Sequence, residues 1–222
     1  MKIRKQLIAF ILVAVMSNAA VAGDVSFGIK AGLNYTAITN NPKSWDDNLE
    51  WKAGISAGAF LSYRFNEWLS LQPELLYSQR GVNSKLLDYS IIEVDLTAAF
   101  SYIEIPLLLE YTVPLEGSFR PVIYAGPVLS YMLSSELELS ASILSATVDI
   151  GSLSHVNDFG GILGAGFEWD VGNGLVTFDV RYQRGFTNVI TSGDFEINGD
   201  PQVIEADDVK NQGLAFLVGY AF

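Results

Sequence analysis

The chain has no cysteine and a single histidine among its 222 residues. Without thiols it can build neither a disulfide framework nor a thiolate metal site, so an exported chain of this kind must be stabilised by other means. Positive charge is also scarce, with 13 Lys and Arg against 25 Asp and Glu. Nucleic acid is therefore not an expected partner, because holding a phosphate backbone takes charge of the opposite sign. Long apolar runs are missing as well. Half the residues are hydrophobic, yet beyond the N-terminus no run approaches the ~20 residues that a membrane-crossing helix needs. The hydrophobicity has to be spread in another pattern.

The first residues have the three zones of a secretory signal peptide: Lys2, Arg4 and Lys5, an apolar stretch from Leu7 to Met16, then Ala20-Val21-Ala22 before Gly23. Residues 1–22 are expected to be removed, leaving one domain over residues 23–222. The lost segment takes three basic residues with it, so the mature chain carries ten basic against 25 acidic residues, a net charge near −15.

From Val25 the residues alternate. Val25, Phe27, Ile29, Ala31, Leu33 and Tyr35 fall on one side, and Ser26, Gly28, Lys30, Gly32 and Asn34 on the other, which is the period of a strand with one apolar face. The pattern returns over 51–65, where Phe60 is the one large apolar residue on the polar side. It recurs over 68–80, 102–113, 120–133, 158–171, 176–183 and 213–222, which makes eight strands.

A water-soluble sandwich alternates too, so the polar face has to decide. It carries Lys30, Arg64, Glu74, Arg80, Glu104, Glu110, Arg120, Glu168, Asp179 and Arg181, interleaved with glycine. A soluble core turns apolar residues inward and leaves such charges to solvent. A barrel in a membrane inverts this, with apolar side chains toward lipid and polar ones inside. The gaps between strands agree, since Asn66-Glu67, Pro114 to Gly117 and Gly172 to Gly174 are tight, while 36–50, 81–98, 134–157 and 187–209 are long. Short periplasmic turns and long outer loops are the asymmetry of outer-membrane barrels. Tyr35, Trp51, Phe65, Trp68, Tyr111, Trp169 and Tyr220 sit near strand ends, as interfacial girdles do. The expected fold is all-β, an eight-stranded antiparallel up-and-down transmembrane β-barrel in a bacterial outer membrane.

Four phrases carry a family likeness: Gly54-Ile55-Ser56-Ala57-Gly58, the run Leu71-Gln72-Pro73-Glu74-Leu75-Leu76-Tyr77-Ser78, the run Tyr102-Ile103-Glu104-Ile105-Pro106-Leu107-Leu108-Leu109, and Tyr124-Ala125-Gly126-Pro127. On these the chain resembles the outer-membrane β-barrel family that includes the PorT-like proteins. The resemblance spans nearly the whole mature chain and implies location and fold. The last strand places Phe216, Val218, Tyr220 and Phe222 on one face. That resembles the C-terminal signal read by the barrel-assembly machinery, an expected partner beside outer-membrane lipid and lipopolysaccharide.

Eight strands enclose an interior that side chains fill, so a general porin is not expected. Charges in that lumen have to be paired. Glu74, Glu104, Glu110 and Asp179 facing Arg64, Arg80, Arg120 and Arg181 make a structural network of the required signs. Pro73, Pro106 and Pro127 fall inside strands and are expected to mark bulges. Alternation continues past the membrane in Ile92, Val94 and Leu96, and again in Leu137, Leu139 and Ala141, so strands are expected to project and to offer open edges to a protein ligand. Asp194, Glu196, Asp200, Glu205, Asp207 and Asp208 lack calcium-loop spacing and read as a solvated acidic loop.

Catalysis has one candidate, His155 with Ser152 and Ser154. Adjacent residues of an alternating segment point to opposite faces, which sets Ser154 away from His155. No phosphate loop or metal-ligand spacing accompanies them, and no cofactor is expected. The reading is a non-enzymatic outer-membrane barrel that contributes to envelope structure and presents surface loops. The runner-up is a component of an outer-membrane secretion or transport complex of the PorT-like kind, and the third reading is a lipid-A-modifying barrel enzyme.

Overall fold

In lipid every backbone N–H and C=O has to find a partner within the protein, and alternating strands can do so only if their sheet closes on itself. The computed structural model describes residues 24–39, 49–89, 92–141, 144–149, 157–188, 193–197, 200–204 and 210–222. These form strands β1 (Asp24–Thr39), β2 (Leu49–Arg64), β3 (Leu69–Tyr89), β4 (Ile92–Thr112), β5 (Phe119–Ala141) and β6 (Leu144–Asp149). They continue as β7 (Asn157–Asp170), β8 (Leu175–Gly185), β9 (Gly193–Ile197), β10 (Asp200–Ile204) and β11 (Lys210–Ala221). Residues 1–22, and with them the expected signal peptide, lie outside the described residues, as does His155.

Eight of these strands close a ring in the order β1-β2-β3-β4-β5-β7-β8-β11, each antiparallel to the next. The ends meet where β1 pairs β11, from Gly28 opposite Ala221 to Thr39 opposite Lys210. Phe222 adds a last bond, its N–H donating to the Phe27 carbonyl at 2.7 Å. β6 pairs β5 alongside β7, and β9 with β10 makes a separate hairpin.

The periplasmic turns follow from local chemistry. The Asn66 side-chain oxygen accepts from the N–H groups of Trp68 (3.0 Å) and Leu69 (2.9 Å), folding the β2–β3 turn on itself. The β7–β8 turn needs a left-handed residue, and Gly172 supplies it at φ 90°, with its N–H donating to Asp170.

The faces separate as lipid requires. Val25, Phe27, Ile29, Leu33 and Tyr35 point outward, about half exposed, while Lys30 and Asn34 are buried within. The outward aromatic residues cluster toward the turn end, where Trp68 lies 5.9 Å from Tyr111 and Phe27 stacks on Phe222 at 6.0 Å. Of the expected girdle, six are exposed and Tyr220 is partly covered, its hydroxyl donating to the Asn173 carbonyl.

β3, β4 and β5 run well past the segments that alternation first marked, to 21, 21 and 23 residues. At ~3.3 Å per residue and a tilt of ~45°, 21 residues climb about 50 Å, twice the ~25 Å apolar band of such a barrel. The outer halves of these strands therefore project beyond the bilayer, as the continued alternation implies.

The in-strand prolines do not mark bulges. Register shifts occur between Trp51 and Ser56, between Lys85 and Leu87, and between Ser101 and Tyr102. At the prolines the ladder skips a pair of residues and resumes in the same register: Phe60 faces Glu74 and Tyr63 faces Leu71, with Pro73 between. The reason is that a bulge needs an extra residue, whereas proline only withdraws a donor.

Candidate functional site: the closed lumen

The side chains turned inward meet in three tiers. In the middle, Lys30 of β1 donates from Nζ to Glu74 Oε1 and to Asp179 Oδ2, both at 2.9 Å. Arg181 of β8 grips Glu74 of β3 with two parallel bonds, Nη1 to Oε2 at 2.6 Å and Nη2 to Oε1 at 2.9 Å, and reaches Asp179 at 3.3 Å. Gln72 adds a donor to Glu74 Oε1 at 2.8 Å. Two cations and two carboxylates, all buried, balance to zero. Such closeness is what makes burial tolerable, since an unpaired ion away from water is very costly. Phe60, the exception in the polar pattern, lies under Lys30 with Nζ 4.5 Å from its ring centre, and Arg181 sits 5.2 Å from the ring centre of Tyr124.

Toward the turn end, Glu168 of β7 accepts from Arg120 of β5 at 3.1 Å and from Arg64 of β2 at 3.4 Å. These arginines are about a quarter exposed and line a cavity of about 590 Å³ at the periplasmic mouth, with Asp24, Glu67 and Glu116. Toward the outer end, Arg80 pairs with Glu104 and lies 5.2 Å from the ring centre of Tyr102. Asn211 of β11 donates to Asp158 at 3.1 Å and to the Tyr102 hydroxyl of β4 at 3.5 Å, while the Thr187 hydroxyl donates to Asp158.

The ring order gives these bonds their meaning. β3 and β8 stand four strands apart in either direction, and so do β2 with β7 and β4 with β11. Glu74–Arg181, Arg64–Glu168 and Tyr102–Asn211 therefore each span the full diameter, one per tier. Polar struts close the lumen at three heights.

The expected network is thus brought together, with two changes. Lys30 joins its middle tier and Glu168 its turn-end tier. Glu110 joins no arginine among the described residues: it lies opposite Ser70 and Tyr124 in the ladders and accepts from the Ser70 hydroxyl at 3.2 Å. The sequence pattern also missed an apolar half of the lumen, where Leu108, Val122, Tyr124, Val128 and Ile162 pack together. Pro106-Leu107-Leu108-Leu109 and Pro121-Val122-Ile123 were its signal, runs that stay apolar on both faces. Phe216 and Val218 are about half exposed on the lipid side, and Phe222 is 65% exposed.

A family model described as an outer membrane protein beta-barrel domain matches residues 17–191. The chain belongs to that family. It is therefore an outer-membrane barrel, as the resemblance implied. No curated protein matches the sequence. Among solved structures the barrel is similar to Neisserial surface protein A, NspA (16% identity, 90% of this chain and 99% of that one, TM-score 0.43). It is also similar to OprG from Pseudomonas aeruginosa (13%, 90% and 97%, 0.49) and to Ail, the attachment invasion locus protein of Yersinia pestis (13%, 90% and 99%, 0.36).

Proposed function

We propose that this family member is a non-enzymatic structural barrel that braces the outer membrane and interacts with other molecules through its projecting outer strands. The observation that carries the reading is the set of three struts across the lumen, which fills the space a solute would need and engages the lumen charges in holding the wall. The function then lies at the ends and on the lipid face. In this reading residues 1–22 are the export signal, and Phe216, Val218, Tyr220 and Phe222 are read by the assembly machinery. Lipid and lipopolysaccharide acyl chains cover the outward apolar band, and a protein ligand meets the outer strands.

The test compares cells expressing the full chain with cells expressing a deletion of residues 134–157, which removes the outer part of β5, all of β6 and Asn157, the first residue of β7. Both barrels should show a heat-dependent gel shift and leave the envelope equally resistant to detergent, while only the full chain should increase adhesion to protein-coated surfaces. Equal adhesion by the two would remove the surface role. Co-purification of a stable set of membrane proteins that survives the deletion would favour a complex component, and a lipid profile that depends on His155 would favour an enzyme.

A further inference from the structure

Above the membrane the wall continues as β3, β4 and β5, and β6 follows as the last strand of the sheet. β6 has β5 along one edge and no described strand along the other. Strand edges left open are guarded in most proteins by proline, lysine or a bulge, because a row of free N–H and C=O groups recruits any extended chain. The edge strand Leu144-Ser145-Ala146-Thr147-Val148-Asp149 has none of these, and its register with β5 runs unbroken from Glu136 opposite Asp149 to Ala141 opposite Leu144. The short β10 of the outer hairpin, by contrast, carries Pro201.

The register also states what an added strand would meet. Val148, Leu137 and Ala98 share one row, and Ala146, Leu139 and Leu96 another. The alternate rows hold Asp149 with Glu136, Thr147 with Glu138 and Ser145 with Ser140. A strand laid on β6 extends both kinds of row, with Asp149 beside it and Glu136 and Glu138 one strand behind, so the rows favour a segment that alternates apolar with positively charged residues. A second copy of this chain would bring the same acidic rows against each other, which like charges oppose.

We propose that the open edge of β6 captures an extended segment of another protein, one that alternates apolar with basic residues, by adding it to the outer sheet. This rests on the surface-interaction reading above and names its partner class. Backbone bonds supply the attachment, and the alternating rows select the sequence.

The probe is a labelled peptide alternating valine and lysine, titrated by fluorescence anisotropy into the full chain folded in detergent micelles. It is compared with its valine–glutamate counterpart and with a copy N-methylated at alternate amides. Consecutive N–H groups of a strand point to opposite edges, so of Ala146→Pro and Thr147→Pro only one removes a donor from the open edge. Thr147→Lys provides a variant that keeps every donor and adds the wrong charge. The lysine peptide should bind at least about tenfold more tightly than the glutamate peptide, and should weaken by about tenfold on N-methylation, on one of the two proline changes and with Thr147→Lys. An unboiled gel shift confirms that each variant is folded.

Binding that prefers lysine yet ignores N-methylation and both prolines is surface electrostatics alone, and overturns edge capture while the surface role stands. No binding, or equal binding of both charges, also overturns it. The adhesion comparison decides the surface role separately.

Discussion

Glu74 accepts hydrogen bonds from Lys30, Gln72 and both terminal nitrogens of Arg181, the densest set around any lumen carboxylate among the described residues. Glu74→Ala would leave two buried cations with Asp179 as their one remaining anion. That should cost about 3–5 kcal/mol of stability, read as a lower urea midpoint for the chain folded in vesicles. Arg64→Ala at the partly exposed mouth should cost less than about 1 kcal/mol, because water screens that pair and Arg120 still holds Glu168. If the two variants unfold at the same urea concentration, the middle tier is not what braces the barrel. Gly164 tests packing in place of charge. A Cβ there would stand 2.5 Å from Cζ of the Tyr124 ring, so Gly164→Ala should displace the ring and cost about 1–3 kcal/mol, visible as a lower thermal midpoint with altered near-ultraviolet dichroism. The period of two located these lumen charges without their partners. Lys30 and Asp179 are 149 positions apart, and their meeting depends on how the ring closes, which no local pattern encodes.

At the scale of the strand, lipid made the sequence readable. Each membrane segment has to offer apolar residues outward without interruption, so eight segments could be placed from periodicity alone, and all eight lie in the ring. Their outer ends were harder to place. Past the bilayer no lipid enforces the alternation, and β3, β4 and β5 go on for about eight to ten further residues, a continuation that the alternation signalled for β4 and β5 but not for β3. The prolines misled for a related reason: a missing donor and an inserted residue look alike in sequence, and only the register separates them. The lipid face itself yields a test. Leu107 lies outward five residues from the turn end of β4, which at ~3.3 Å per residue and a tilt of ~45° is about 12 Å into the ~25 Å apolar band, whereas Leu115 lies in the β4–β5 turn. Leu107→Arg should destabilise the barrel by about 2–4 kcal/mol and Leu115→Arg by about 0–1 kcal/mol, measured by urea titration in vesicles. Equal costs would mean that the outward face does not meet hydrocarbon at Leu107.

For the whole molecule the decisive quantity is passage along the axis. An eight-stranded ring leaves an interior that side chains can fill, and here it is filled twice over, by an apolar cluster against β4, β5 and β7 and by ion pairs and hydrogen bonds across three diameters. Planar-bilayer recordings of the purified barrel should show no steady conductance. Replacing Lys30, Glu74, Asp179 and Arg181 together by alanine removes the middle tier without leaving an unpaired charge, so the ring should still close, though less stably. The outer and periplasmic struts, Tyr102–Asn211 and Arg64–Glu168, remain in that variant. It should therefore show at most brief, small openings, and steady conductance should need Arg64→Ala and Asn211→Ala as well. Steady current through the unaltered barrel would mean that the struts part in the membrane. The wall would then be braced by its ladder alone, and the lumen would have to be reconsidered as a route.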